Sequence, residues 1–146
     1  MTNATGYPRR LPTVVCYLVA RLKKKGEMTV VTCFIRYTID AKRWAEFELY
    51  ARVWMRLIEK YGGTHHGYFV PGDEPPSAAF SFPGIGESGP DNIAIALFSF
   101  PSIDSYESYR REVPKDSECV EVTKHYEKTK PFTKYERTFL RRVERD

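Results

Sequence analysis

From residue 30 onward, the order of apolar and polar positions predicts a strand and then a long helix. Residues 30–39 (VVTCFIRYTI) are rich in β-branched and aromatic side chains and lack glycine and proline, as is typical of strands. Asp40 is a good N-cap and Gly62 supplies a left-handed stop, so the pattern predicts an amphipathic helix over residues 41–61. The apolar positions that recur at helical spacing are Trp44, Phe47, Ala51, Trp54, Met55 and Ile58.

Three later segments have the composition of strands, namely residues 64–70, 92–100 and 132–140. The segment 92–100 (NIAIALFSF) is apolar on both faces, which indicates a strand that is covered on both sides. Residues 71–91 contain nine prolines and glycines, so they are predicted to form a long loop. Within this loop, residues 78–82 (AAFSF) could dock as a short strand or a lid.

Two helices separated by Pro114 are predicted between the third and fourth strands. Ser102 is the expected cap of the first helix, Asp116 is the expected cap of the second, and Pro131 closes the second. The positions of the second helix that we expect to face inward are Cys119, Val120, Thr123 and Tyr126.

The predicted order of elements is β-α-β-β-α-β, which is the α+β plan called ferredoxin-like. In this plan the helices pack on one face of an antiparallel sheet. The strands here also carry apolar residues for the opposite face, and a soluble monomer would expose them as a large apolar patch. A homodimer in which two sheets face each other, forming an α/β barrel, would bury both patches. We expect one such domain over residues 28–143.

The positive charge of the chain is concentrated in its first residues. The chain has 146 residues and a formal net charge of +4, and residues 1–26 hold six basic and no acidic residues. The remainder is close to neutral and lacks the excess positive charge that nucleic-acid binding needs. We expect residues 1–27 to be a poorly ordered extension, with Met28 as the working start of the protein.

Several classes of protein are disfavoured by the sequence. It contains no run of 18 apolar residues, so we expect no membrane span. It also lacks the common nucleotide-binding and hydrolase motifs. The cysteines Cys16, Cys33 and Cys119 are odd in number and widely spaced, which favours free thiols in a reducing compartment, and we expect the cytoplasm.

His65 and His66 are the first candidates for chemistry. As neighbours in a strand they point to opposite faces, so they cannot hold one metal ion as a pair. One should face the helices and the other the barrel interior or the dimer seam. Either both are half-buried structural imidazoles, or one of the two is a catalytic acid/base or a metal ligand. Asp73 and Glu74 follow closely, but their spacing matches no recognised metal site, and no metal or cofactor is predicted.

Arg36 and Glu136 are single charges inside the first and last strands. We expect these strands not to be neighbours in the sheet, so the two side chains would pair across the barrel or across the dimer. They form either a structural ion pair or, through Arg36, an anion site for a substrate, with Glu136 among the pocket residues. The aromatic side chains that we expect to line either the core or a ligand pocket are Tyr37, Tyr68, Phe98 and Tyr135.

The sequence resembles the NIPSNAP family over residues 28–143, in the right order. The resemblance implies a dimeric ferredoxin-like α/β barrel, similar to small monooxygenases, muconolactone isomerase-like enzymes and stress-responsive barrel proteins. It implies no particular reaction, and animal members of the family are mitochondrial proteins linked to vesicle transport and mitophagy. The loop 71–91 and the extension 1–27 depart from the family pattern. The matching segments are RYTID (36–40), GGTHHGYF (62–69), ALFSFPS (96–102), YESYR (106–110) and YERTFL (135–140).

Three functions are compatible with these features of the sequence. The first is a homodimeric barrel that binds a small, mostly apolar ligand under the loop 71–91. The second is a cofactor-independent monooxygenase or isomerase, in which a strand histidine moves the proton. The third is a protein-interaction adaptor whose barrel is filled by side chains. The three functions differ in what they require of the barrel interior, because only an enzyme needs a cavity with a histidine or carboxylate within reach of the substrate.

Overall fold

The computed structural model describes residues 29–75, 79–82 and 84–146. The predicted extension 1–27, with Met28 and Cys16, lies outside these residues. The four strands in the described part are β1 (Val31–Ile39), β2 (Thr64–Phe69), β3 (Ile93–Phe100) and β4 (Phe132–Leu140). The helices are α1 (Trp44–Lys60), α2 (Ile103–Glu112) and α3 (Ser117–Thr129), with a short 3₁₀ turn at Val113–Lys115 between α2 and α3.

The strands form one antiparallel sheet in the order β2-β3-β1-β4. This order, with the helices on one face, gives the α+β ferredoxin-like fold that the sequence predicted. The expectation that the first and last strands are not neighbours was wrong, because β1 pairs with β4 along its length and Arg36 lies opposite Glu136. The sheet of this one chain is open and does not close into a barrel.

The helices cover the sheet face that carries the buried side chains of β1 and β3. Along β3 the buried positions alternate with half-buried ones, as the period of two in a strand requires. Phe100 packs there with Leu57 and Ile58 of α1, and a neighbouring cluster joins Tyr37, Phe47 and other aromatic rings. The buried residues of these two strands are Cys33, Tyr37, Ile39, Ala94, Ala96, Phe98 and Phe100.

No helix among the described residues covers the opposite face, which we term the open face. Its middle is apolar, because Phe34 of β1 lies opposite Leu97 of β3, and Ile95 of β3 lies opposite Phe69 of β2. Phe69 at the edge is 54% exposed. The folded chain therefore has an apolar strip on this second face, next to the polar side chains of Arg36, Ser99 and Glu136.

The predicted end of the first helix is confirmed and its predicted cap is wrong. Gly62 has a φ of +89°, and its N–H donates to the carbonyl oxygen of Glu59 at 3.1 Å while Gly63 N–H donates to that of Ile58 at 2.9 Å. At the other end the helix begins at Trp44, because the Asp40 carboxylate accepts a hydrogen bond from the backbone N–H of residue 42 and closes a separate turn.

The caps of the later helices are confirmed, but the inward face of α3 differs from the prediction. Ser102 Oγ accepts from the N–H of residue 105, and Asp116 Oδ1 accepts from the N–H of residue 118. Cys119 is buried as expected, whereas Val120 is 42% exposed and Val122 is buried instead. The reason is that α3 packs against α1 as well as over the sheet, so Val122 lies beside α1, while the predicted Thr123 and Tyr126 face the space above the sheet.

The described part of the loop 71–91 forms no strand and is exposed throughout. The predicted docking of residues 78–82 is therefore absent over residues 79–82, and residue 78 lies outside the described part.

Candidate functional site

A cavity of about 280 Å³ lies between the covered face of the sheet and the three helices. Its floor consists of strand side chains, namely Ile35, Tyr37, Tyr68, Phe98, Phe132, Tyr135 and Arg137. Its walls consist of helix side chains, namely Tyr50, Trp54, Ile58, Tyr106, Tyr109, Arg110, Thr123 and Tyr126. The site is therefore dominated by aromatic rings with hydroxyl groups at their edges.

The cavity exists because α3 packs mainly against α1, which leaves the helix side of β4 uncovered. Tyr135 and Phe139 are on that side of β4, and they are 58% and 52% exposed. Arg110 and Arg137 are also exposed lining residues. The cavity thus opens to solvent over the last strand.

Three tyrosines form a cluster in the closed part of the cavity, of which Tyr37 is buried and Tyr50 and Tyr68 are partly buried. Tyr37 Oη lies 3.5 Å from Tyr68 Oη, and the ring centroids of Tyr37 and Tyr50 are 6.2 Å apart. Burial raises the pKa of each of the three hydroxyls well above its usual range. The hydroxyls therefore stay protonated at neutral pH and can donate hydrogen bonds to a ligand.

The mouth of the cavity carries two arginines. Arg137 Nη1 lies 3.5 Å from Tyr106 Oη, and the guanidinium lies 5.4 Å from the centre of the Phe139 ring. Among the described residues, neither Arg110 nor Arg137 has a carboxylate within salt-bridge distance, and no lining residue is acidic. This end of the cavity is electrostatically positive.

Cys33 lies beneath this positive end. Burial raises the pKa of its thiol to about 11, and the charges of Arg137 and Arg110 oppose that rise. The positive charges of both guanidinium groups are therefore felt at the thiol of Cys33, in the interior of the protein. The thiol itself stays protonated at neutral pH and is a poor nucleophile.

Of the residues predicted from the sequence, the aromatic ones come together and the charged pair lies elsewhere. Tyr37, Tyr68 and Phe98 line the cavity together with Tyr135. Arg36 and Glu136, in contrast, lie on the open face, because β1 residues alternate between faces and Arg36 follows the cavity-lining Ile35.

The two histidines point to opposite faces. His65 stacks on Tyr68 on the helix side, with ring centroids 4.9 Å apart and an angle of 14° between the rings, and Nδ1 accepts from Gly67 N–H at 3.0 Å. His66 lies on the open face, with Nε2 2.9 Å from Ser99 Oγ. His65 therefore lies behind the cavity-lining ring of Tyr68 and is not itself a lining residue.

The environment of His65 favours the neutral imidazole. Burial lowers its pKa to about 4, and the adjacent His66 contributes in the same direction. Its Nε2 is buried without a hydrogen-bond partner among the described residues. The neutral imidazole of His65 packs against the phenol ring of Tyr68, which is a structural role. It does not contact the cavity itself, because the ring of Tyr68 lies between them.

The contact of His65 with Tyr68 depends on a β-bulge. His65 lies opposite Phe98 and Gly67 lies opposite Leu97, so His66 is an extra residue in β2. Gly67 has a φ of +125°, a conformation that favours glycine. Without the bulge, positions 65 and 68 would lie on opposite faces of the strand.

A sequence model of the NIPSNAP family matches residues 32–144 of this chain. The chain belongs to the NIPSNAP family. Among curated proteins, no sequence matches the chain significantly.

Solved structures of other NIPSNAP proteins have the same fold. A NIPSNAP family protein of unknown function from Agrobacterium tumefaciens is 13% identical, with a TM-score of 0.56 over 78% of this chain and 88% of that chain. A second one from Agrobacterium tumefaciens is 15% identical, with a TM-score of 0.58 over 80% and 89%. An uncharacterised NIPSNAP domain protein from Burkholderia xenovorans is 16% identical, with a TM-score of 0.55 over 77% and 94%.

Sequence reasoning missed the two arginines of this NIPSNAP cavity. Arg137 carried a signal, since it follows Tyr135 by two positions in a strand and so shares its face. Arg110 carried none, because the position of α2 above the sheet is a tertiary property.

Three further properties of the described part bear on what the NIPSNAP chain could do. It contains no group of three or more His, Cys, Asp or Glu side chains placed to hold a metal ion. Glu74, one of the two acidic residues near the histidines, accepts a hydrogen bond from Ser88 Oγ at 3.2 Å. No helix of the described part has the length and apolar character to cross a membrane.

Proposed function

We propose that this NIPSNAP protein binds a small, mostly apolar aromatic molecule in the cavity between its sheet and its helices. The observation that carries the proposal is an open cavity of about 280 Å³ with an aromatic lining. Protein interiors are normally filled to high density, so an opening of this size next to a core of packed rings calls for an occupant. Aromatic walls favour a planar, apolar ligand through edge-to-face and stacked contacts.

An unsatisfied donor supports an occupant with an oxygen or nitrogen acceptor. Trp54 lines the cavity, and its Nε1–H is buried without an acceptor among the described residues. A buried donor without a partner is destabilising, and a ligand acceptor would satisfy it once the side chains that cover Nε1 move aside. The Tyr37 and Tyr68 hydroxyls offer further hydrogen bonds at the closed end.

The composition of the lining favours binding over catalysis. No described lining residue is a histidine, a cysteine or a carboxylate. A monooxygenase or isomerase of the dimeric α/β-barrel type would need a group that moves a proton at the substrate. His65 is separated from the cavity by Tyr68, and the raised pKa of the Tyr37, Tyr50 and Tyr68 hydroxyls keeps them protonated, so they are poor bases. An adaptor with a filled interior is less favoured, because the interior has space for a ligand. No described residue of the loop 71–91 lines the cavity, so the ligand is proposed without that loop as a cover.

The ligand is proposed to bind to a homodimer in which the open faces of two sheets meet. A lone chain leaves the apolar row of Phe34, Ile95 and Leu97 partly in water. A twofold contact between two such faces would bury both rows at once. The described cysteines, Cys33 and Cys119, are free thiols, which supports the cytoplasm as the proposed location.

The cavity is tested with N-phenyl-1-naphthylamine, a neutral aromatic probe whose fluorescence rises in apolar sites. The wild-type protein should bind it saturably at one site per chain. Thr123→Trp, which places a large ring at the cavity wall, should abolish binding, whereas Lys124→Trp on the solvent side of the same helix should not. Binding that survives Thr123→Trp, or no binding to the wild type, would refute the proposal.

The dimer is tested separately by sedimentation velocity at micromolar concentration. Ile95→Lys, in the middle of the open face, should convert a dimer into a single chain. Val120→Lys introduces the same charge at an apolar surface position of α3 and should leave the dimer intact. A wild-type protein that sediments as one chain would rule out the proposed barrel.

A further inference from the structure

We infer that Arg110 and Arg137 form an anion site at the mouth of the cavity, so that the ligand is an aromatic acid. The inference rests on the proposed function and specifies its substrate class: a planar ring system with one carboxylate, sulfonate or comparable anionic group. The ring would lie among the aromatic walls, and the anion would lie at the open end over β4.

The two cavity arginines are distinguished by their position. Like Arg111, Arg141, Arg142 and Arg145 they have no carboxylate within 4.0 Å among the described residues, but they alone of these six line the cavity. The described arginines with a carboxylate within 4.0 Å are Arg36, Arg43, Arg52 and Arg56. A positive pair that faces an apolar cavity and lacks acidic partners attracts an anion from solution.

Arg137 is also held in place at the mouth of the cavity. Its Nη1 lies 3.5 Å from the Tyr106 hydroxyl, and its guanidinium lies 5.4 Å from the centre of the Phe139 ring. These contacts restrict a long side chain to the mouth before a ligand arrives. They leave other N–H groups of the guanidinium fork for a carboxylate, whose geometry the fork matches.

The two positive charges converge although they come from different elements. Arg110 belongs to α2 and Arg137 to β4, yet both line one cavity and both act on the buried Cys33 thiol. Their joint field therefore extends from the mouth into the interior. Since no lining residue is acidic, nothing in the described lining opposes an anion there.

The apolar and the charged parts of the site are arranged in the right order for such a ligand. The buried tyrosine hydroxyls stay neutral and lie at the closed end, where an anion would lose its hydration without a cation nearby. The exposed arginines lie at the open end, where an anionic group keeps contact with water. An aromatic acid would enter ring first.

The test compares two probes that have the same ring system and differ by one charge. N-phenyl-1-naphthylamine is neutral, and 8-anilinonaphthalene-1-sulfonate adds a sulfonate to it. The wild type should bind the sulfonate more tightly than the neutral probe. Arg110→Met and Arg137→Met should each weaken sulfonate binding by ~10-fold relative to neutral binding, as expected for the loss of a hydrogen bond to a charged group.

Controls separate the site from general charge effects. Arg52→Met removes a charge from the outer face of α1 and should change neither affinity. Arg36→Met tests the alternative anion site on the open face, and at a protein concentration at which it sediments as the wild type does, it should also have no effect. Arg137→Lys keeps the positive charge but lacks the forked N–H groups of the guanidinium, so sulfonate binding should be weakened less than in Arg137→Met. A folded Arg137→Lys protein with this intermediate affinity would show that the loss in Arg137→Met is not simply due to unfolding. The preference for the sulfonate should decline with rising salt.

The failure of the anion site and the failure of the cavity give different results. If both probes bind equally, and the ratio does not change in the arginine variants, the anion site is refuted and the cavity stands. If sulfonate binding is lost instead in an Arg36→Met protein that sediments as the wild type does, the site is on the other face of the sheet and the inference is refuted. If neither probe binds the wild type, the proposed function fails and the anion site fails with it.

Discussion

Arg36 and Glu136 form a cross-strand ion pair, with 3.0 Å between Nη1 and Oε2, although they are 100 residues apart in the chain. They lie directly opposite each other in β1 and β4, on the apolar open face of the sheet. In the single chain both side chains are more than 40% exposed, at 41% and 46%. An exposed pair of this kind contributes little to folding, but it would matter at an interface, where an unpaired charge is costly.

Reversing one charge of this pair is predicted to break the proposed dimer, and reversing both is predicted to restore it. Arg36→Glu would place two carboxylates opposite each other on the face that the proposed dimer would bury. The double variant Arg36→Glu/Glu136→Arg recreates the pair in the opposite sense. Sedimentation velocity should show single chains for the first variant and dimers for the second. Equal association of all forms would show that the pair lies outside any interface.

Gly63 is predicted to be intolerant of a side chain for reasons of space. A Cβ at this position would lie 2.8 Å from Ile58 Cγ2 and 2.8 Å from Phe100 Cζ, both in the core. Gly63→Ala should therefore lower the free energy of unfolding by about 1–3 kcal/mol, as overpacking does. Urea denaturation measures the change. Gly72→Ala is the matched control, because nothing lies within 4 Å of a Cβ there, and it should be nearly neutral.

His65 is predicted to make the fold less stable in mildly acidic solution. Its pKa is about 4 in the folded chain against an ordinary value of 6.5. The His65 imidazole therefore binds a proton more tightly in the unfolded chain than in the folded one. Its contribution to stability is complete above pH 6.5 and is lost as the pH falls toward 4. The midpoint of urea unfolding should decrease over this interval.

Asparagine at position 65 should remove this part of the pH dependence. Its Oδ1 can accept the Gly67 N–H bond that Nδ1 now accepts, but it does not titrate. The unfolding midpoint of His65→Asn should thus vary less between pH 6.5 and 4 than that of the wild type. His66→Asn, on the open face, should retain the wild-type slope. A wild-type slope in His65→Asn would contradict the assignment.

Asp116 is predicted to dominate acid sensitivity at lower pH. Lys60 Nζ lies 2.6 Å from Oδ2, the Tyr61 hydroxyl donates to Oδ2 at 2.8 Å, and the N–H of residue 118 donates to Oδ1. The bond from Lys60 is the largest cause that lowers the pKa of Asp116 to about 2 from 3.8. Because the folded pKa is the lower one, its stabilisation is present above pH 3.8 and is lost as the pH falls toward 2.

The variant Asp116→Asn tests this carboxylate. Asparagine keeps the helix cap and an acceptor for Tyr61 but loses the charge that attracts Lys60. It should be less stable than the wild type at about pH 6, and the difference should shrink as the pH falls from 3.8 to 2. Circular dichroism of acid unfolding follows both proteins. A difference that is independent of pH would mean that the ion pair contributes nothing.

Much of the local structure could be predicted because it is written in short-range patterns. Ser102, Asp116 and Gly62 mark helix ends through their own hydrogen bonds and backbone conformations, which need no distant partner. Asp40 shows the limit of this approach, since the same side chain can cap a helix or close a turn. The candidate site was predicted only for its aromatic strand residues, whose faces follow from a period of two.

The sequence by itself determined the elements, the two apolar faces of the sheet and the family, because local periodicity and motifs suffice for these. The tertiary structure alone decided that β1 adjoins β4, that Arg110 and Arg137 converge on one cavity, and that the bulge at His66 stacks His65 on Tyr68. These are contacts between segments far apart in the chain, or shifts of one residue in register. They depend on how whole elements pack, and no repeat of apolar residues records that.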